Sequence, residues 1–230
     1  MAADLVHDPH ADRAQPGEPG AVFEQFEDLE QQNESYIVGM WAFLVTEVMF
    51  FGALFITYAL YRWKYQPYFW ELHRKLDIPM GALNTVILLT SSLTMALAVY
   101  YAQRTMKKQQ LMMLGATLMG AFGFLIVKSF EYMHKYHDGL MPWFIFKWDN
   151  PAVPEPVAKL FFSIYFLMTG LHGVHVIIGI IVIGALAIMV ARDSKFVRND
   201  YIPTELIGLY WHFVDLVWIF LFPLFYLMPR

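Results

Sequence analysis

IVGMWAFLVTEVMFFGALFITYAL, residues 37–60, is apolar except for one carboxylate, Glu47. Twenty-four residues in a helix reach roughly 36 Å, enough to cross a hydrocarbon core of about 30 Å. Glu47 falls about 15 Å from the start of that run, near the middle of the membrane. An ionised carboxylate at that depth costs at least about 2.5 kcal/mol. It must therefore face protein, water or a lipid headgroup, or hold its proton. Phe43, Phe50 and Phe51 stand three or four residues away and share its helix face. Glu47 is a candidate functional residue; a structural hydrogen bond inside a helix bundle is the plainer alternative.

The rest of the chain agrees with a membrane reading. Of 230 residues, 58% are hydrophobic and only 16% are charged, which separates the chain from soluble domains. Its formal charge of −4 gives no sign of nucleic-acid binding. There is no cysteine, so disulfides, thiolate metal sites and iron–sulfur clusters are excluded. Five apolar runs stand out, at about 37–61, 80–103, 109–133, 158–191 and 205–228. The predicted fold is an all-α integral membrane protein, one bundle of five transmembrane helices over residues 36–230. Residues 1–35 form a polar, partly flexible N-terminal segment, with a short surface helix expected at 23–33.

The run at 80–103 contains no charged residue; its small and hydroxyl side chains, Ser91 and Ser92 among them, predict close packing within the bundle. Along the third run, Gly115 and Gly123 are eight apart and mark a second close-packing face. Near its end Lys128 and Glu131 are three apart; an interfacial ion pair with a snorkelling lysine is the plain expectation. Residues 61–79 are rich in Tyr, Trp, Lys and Arg, which is interfacial chemistry, and residues 134–156 hold four prolines and form a loop. The two shortest loops are basic: Arg104, Lys107 and Lys108 in one, Arg192, Lys195 and Arg198 in the other. Raw counts of basic residues do not discriminate between the two sides. The short loops carry the rule best, which favours a cytoplasmic N-terminus and a periplasmic C-terminus.

His172 and His175 share a face of the fourth run, and His212 and Asp215 share a face of the fifth. Three histidines and a carboxylate invite a metal or haem reading. Depth speaks against it. Counted from Leu206, His212 lies about 9 Å in, and counted from Ala191, His175 lies about 24 Å in. Hydrogen bonding between helices is the alternative. Glu131 and His134 have the Glu-x-x-His spacing of di-iron bundles, but such a site needs two of these motifs and two further carboxylates.

Five stretches together resemble subunit III of haem–copper oxidases, the cytochrome c oxidase subunit III family. WAFLVTEVMFF at 41–51 resembles the family's glutamate-bearing span, and LNT at 83–85 with LLTSS at 88–92 resembles the next. Phe130-Glu131-Tyr132, TGLHGVHV at 169–176 and YWHFVDLVW at 210–218, which holds Trp211, follow in the family's order. The chain is similar to the short five-span bacterial form, without the two helices that form one wall of a lipid-holding cleft in seven-span members. The resemblance implies an auxiliary subunit of a bacterial inner-membrane oxidase that carries no cofactor of its own. Haem and copper would reside in partner subunits. The implied partners are catalytic subunit I, other oxidase subunits, a larger respiratory supercomplex and bound phospholipid. The implied roles are stabilising subunit I, sustaining proton uptake and holding lipid. Glu47 falls on the family's carbodiimide-reactive membrane carboxyl. Glu131, His172, His175, Trp211, His212 and Asp215 are then expected in polar packing or lipid contacts, with no catalytic or metal residue.

Three alternatives stand beside this expectation. One is the subunit-III-like protein associated with nitric oxide reductase, which shares the five-span plan. Another is a haem-b or quinol-binding anchor built on His172, His175 and His212. A transporter coupled through Glu47 is the third, although no inverted repeat or paired broken helices are visible.

Overall fold

The computed structural model describes residues 25–194 and 201–227. Six helices and one short hairpin follow in order: α1 (Leu29–Lys64), α2 (Gln66–His73), α3 (Ile78–Gln103), α4 (Lys107–His137), β1 (Leu140–Met141), β2 (Ile145–Phe146), α5 (Glu155–Ala191) and α6 (Ile202–Tyr226). All but α2 are long and apolar enough to cross a membrane, and the chain is an all-α multi-pass bundle. The separate surface helix expected at 23–33 is not seen; residues 23–24 lie outside the described residues. Asp28 caps α1 by accepting from the Gln31 N–H at 2.7 Å, and that helix runs unbroken into the membrane. The loop expected over 61–79 contains α2, started by Pro67.

Helix α6 packs against α1, α3 and α5, and its aromatic side chains fill the centre. α3 and α4 form an intimate hairpin, as the small residues of the second span predict. The glycine that permits it is Gly120, where an added Cβ would come 2.8 Å from the Ser91 Cβ. Gly115 has open space in front of it, whereas a Cβ at Gly123 would lie 3.8 Å from Ile87 of α3, so only Gly123 of the expected pair meets that helix. α5 and α6 are held close by Gly179, where a Cβ would come 2.6 Å from the Trp211 ring.

Two basic turns are built alike. After α3, Thr105 takes φ 57° and the Met106 N–H bonds the Tyr101 carbonyl; after α5, Asp193 takes φ 53° and the Ser194 N–H bonds the Met189 carbonyl. Both are left-handed helix ends that close the last carbonyls without glycine. Lys107 pairs with Asp193, tying the two turns together at one end of the bundle. At the other end Lys135, nearly fully buried, donates to the Lys75 carbonyl and to Asp77 at 3.2 Å.

α1 is the least embedded span. Its firmest anchor is Tyr58, fully buried, whose phenol faces His73 Nε2 at 2.8 Å and the Leu224 carbonyl at 3.0 Å. His73 Nδ1–H donates to the Phe69 carbonyl of its own helix. This cluster joins α1, α2 and the end of α6. His73 lies outside the five spans, and burial lowers its pKa below the ordinary 6.5; the nearby Arg62 charge acts the same way, against the carbonyl hydrogen bonds. The folded state thus resists protonation more than the unfolded one does. Its contribution to stability is complete above pH 6.5 and is lost as pH falls toward the lowered pKa. Hydrogen-exchange protection factors across residues 66–76 should therefore drop between pH 7.5 and pH 5. His73→Gln should show no such drop; equal protection of the parent chain at both pH values would contradict the assignment.

Candidate functional site

The largest polar assembly inside the membrane region is centred on Lys128 and Glu131. The expected interfacial pair with a snorkelling lysine is not what forms: the side chains are 6% and 0% exposed. The Lys128 ammonium donates to Glu131 Oε2 at 3.0 Å, to the Tyr165 hydroxyl at 3.0 Å and to the Tyr226 hydroxyl at 2.8 Å. Tyr165 and Tyr226 in turn donate to Glu131 Oε1, at 2.6 and 2.5 Å. Three ammonium protons thus meet three acceptors, and both phenol protons meet the carboxylate. Opposite charges cancel and no donor is left over, which is what burial of an ion pair requires. The network joins α4, α5 and α6. Beside it Tyr132 bonds Thr169 at 2.6 Å, adding a second α4–α5 link.

Glu47 is placed differently. Its Oε2 lies 3.0 Å from His175 Nε2, and the two side chains are 19% and 14% exposed. His175 Nδ1 lies 2.8 Å from the Leu171 carbonyl, which only accepts, so Nδ1 carries a hydrogen. Nε2 and the Glu47 oxygen then share a single proton. Whether it rests on nitrogen or oxygen, the pair has no net charge, which lets it sit at mid-membrane. Phe51 packs edge-on against the His175 ring at 5.1 Å, and Tyr210 donates to the His175 carbonyl at 3.0 Å. The phenylalanine face expected around Glu47 is thus present, but an imidazole completes the site. The sequence holds a signal for this in the Leu171–His175 spacing, which lets the ring bond its own helix and present Nε2 outward. The partner helix is not encoded there.

The remaining candidates separate. His172 is fully buried between Phe124 and Trp218, with ring centroids 5.4 and 5.3 Å away. Trp211 is fully buried and donates to Ser91 at 3.2 Å. His212 Nδ1 meets the Ser92 hydroxyl at 2.8 Å, linking α6 to α3. Asp215 is buried, and no protein donor among the described residues is in hydrogen-bond geometry with its oxygens; the same holds for both nitrogens of His172. Interhelical hydrogen bonding therefore accounts for Glu131, His175, Trp211 and His212, whereas His172 is held by aromatic rings.

The depth argument needs correction. Gly179 lies against Trp211 and His172 against Trp218, and this register puts His175 and His212 only about 4.5 Å apart in depth. The difference of about 15 Å expected from the sequence came from counting the fifth span from Leu206, whereas α6 begins at Ile202 and the two helix ends are not level. Direction keeps the histidines apart: His175 faces α1 and His212 faces α3. Among the described residues no three His, Asp or Glu side chains form a group that could hold a metal ion.

Comparison with known proteins places this arrangement. The model of a family described as cytochrome c oxidase subunit III matches residues 155–229, which cover α5 and α6. Cytochrome c oxidase subunit 3 of Bacillus sp. (strain PS3) is 33% identical over 204 residues, spanning 87% of this chain and 88% of the relative. A probable cytochrome c oxidase subunit 3 of Nocardia farcinica is 32% identical, over 91% of this chain and 96% of the relative. A probable quinol oxidase subunit 3 of Staphylococcus saprophyticus is 31% identical, over 83% and 88%. The chain therefore belongs to the cytochrome c oxidase subunit III family.

Proposed function

We propose that this chain is a subunit III of a respiratory cytochrome c oxidase in a bacterial cytoplasmic membrane, with the redox centres held by partner subunits. In this reading it stabilises the catalytic subunit, sustains proton uptake during dioxygen reduction and contributes to lipid binding. The carrying observation is the division of its polar groups. Lys128 and Glu131 are closed into a network with no accessible edge, whereas Glu47 and His175 hold one proton at a partly exposed site on the least embedded helix. That site is reachable from outside the chain, whereas the buried network is not. The basic turns after α3 and α5, joined by Lys107 and Asp193, support a cytoplasmic N-terminus and a periplasmic C-terminus. The relatives named as quinol oxidase subunits favour a second reading, in which quinol supplies the electrons. Copurification and a visible spectrum of the complex separate the two.

A hydrophobic carbodiimide should modify Glu47 before Glu131 or Asp215, because Glu47 is partly exposed and the other carboxyls are buried. Mass spectrometry of the labelled peptides reads the order; first labelling at Glu131 would contradict it.

Removing the chain from the oxidase should leave the first turnovers of oxygen reduction measurable. Activity should then decay faster with each turnover and fall most at high pH, where protons are scarce. Glu47→Ala should be milder, since the scaffold remains. Oxygen consumption over successive turnovers checks this. Complete loss at the first turnover, with the partner's haems still bound, would place the chain in the catalytic path.

A further inference from the structure

Two polar side chains inside the bundle, Asn84 on α3 and His172 on α5, have no protein partner among the described residues, and both are 0% exposed. No amide flip rescues Asn84, because its nitrogen and its oxygen are both unpaired. No tautomer rescues His172: a neutral imidazole carries one donor and one acceptor, and neither ring nitrogen meets a partner. Unpaired polar groups are costly in an apolar interior. Asp215, whose oxygens are also unpaired, has the Ser92 hydroxyl beside it and so stands apart from these two.

Asn84 and His172 lie at one level of the bundle. Gly120 lies against Ser91 and Gly123 against Ile87, and this α3–α4 register brings Asn84 level with the turn of α4 between Phe124 and Lys128. The His172 ring lies 5.4 Å from Phe124 and 5.3 Å from Trp218. Trp218 joins the two sides. Its Nε1 donates to Thr85, next to Asn84, at 3.1 Å, and its ring lies 4.9 Å from Phe124. Four helices thus meet around Trp218, and the polar atoms that α3 and α5 bring there are left without partners.

We propose that this level of the bundle is a binding site for water, held around Trp218 by hydrogen bonds to Asn84 and His172. Water is the smallest molecule that both donates and accepts, and a buried water makes about three hydrogen bonds. Asn84 offers two donors and an acceptor, and His172 one of each, so water can accept from one side chain and donate to the other. Because both side chains are fully enclosed, neither presents an edge to a larger solute or a lipid headgroup.

X-ray radiolysis of the full chain in nanodiscs tests this, because hydroxyl radicals made from a bound water oxidise the side chains that touch it. Met168, one turn before His172 and fully buried, should be oxidised together with Trp218. Met95, equally buried but about 16 Å along α3 from Asn84, should not be. A bulk radical scavenger should suppress oxidation of Trp63 and Trp143, which are exposed, and spare Met168 and Trp218. Asn84→Leu combined with His172→Phe removes the polar atoms and should bring Met168 and Trp218 down to the Met95 level; Met95 itself, still unoxidised, reports that the interior stays closed. Met168 and Trp218 no more oxidised than Met95 in the parent chain would overturn the proposal, whatever the variants do. So would suppression of their oxidation by the bulk scavenger, or parental oxidation persisting in the double variant.

Discussion

Inside a bilayer no water is available to solvate a polar group, so each buried charge must be satisfied by protein. The ion pair of Lys128 and Glu131 is the severest case in this chain, and the structure is arranged to meet it. Tyr165 from α5 and Tyr226 from α6 complete the hydrogen bonding of both charges. Those two helices can then take only one rotation relative to α4. The same rotation puts Trp218 beside His172 and Trp211 over Gly179, which sets the α5–α6 register and the central position of α6. Much of the bundle's uniqueness follows from closing one charge network.

α1 stands outside this lock. Its firmest anchor is a phenol at one end, and much of its apolar surface is exposed. This is where the partly accessible pair Glu47–His175 resides. A proton held between an imidazole and a carboxylate leaves the site neutral in either arrangement, so the membrane does not forbid it and the bundle does not depend on it. The buried network and the partly exposed pair meet on α5, through Tyr165 and His175, and only the pair reaches α1.

The five spans were legible because each apolar run is long and bounded by charge. Glu47 was legible because one carboxylate interrupts the first of them. What the sequence did not reveal depends on rotation about helix axes and on depth between helices. Lys128 and Glu131 could be seen to pair at i, i+3, but Tyr165 and Tyr226 lie 37 and 98 residues beyond Lys128, and nothing local aims them at the pair. The partnership of Glu47 with His175 is hidden for the same reason. Gly115 and Gly123 satisfied the spacing rule, yet the closest approach to α3 is made by Gly120, against Ser91. α2 escaped notice because eight residues rich in aromatics resemble an interfacial loop.

The claim that the buried network locks the bundle is tested most directly by removing one charge and then both. Thermal or denaturant unfolding of the purified chain in mild detergent would be compared for the parent, Lys128→Met, and Lys128→Met with Glu131→Gln. The single change leaves a buried carboxylate without its cation and should cost about 3–5 kcal/mol. The double change keeps acceptors for both phenols and removes the charge, so it should recover most of that loss. A single variant as stable as the parent would contradict the account, because the pair would then not be holding α4, α5 and α6 together.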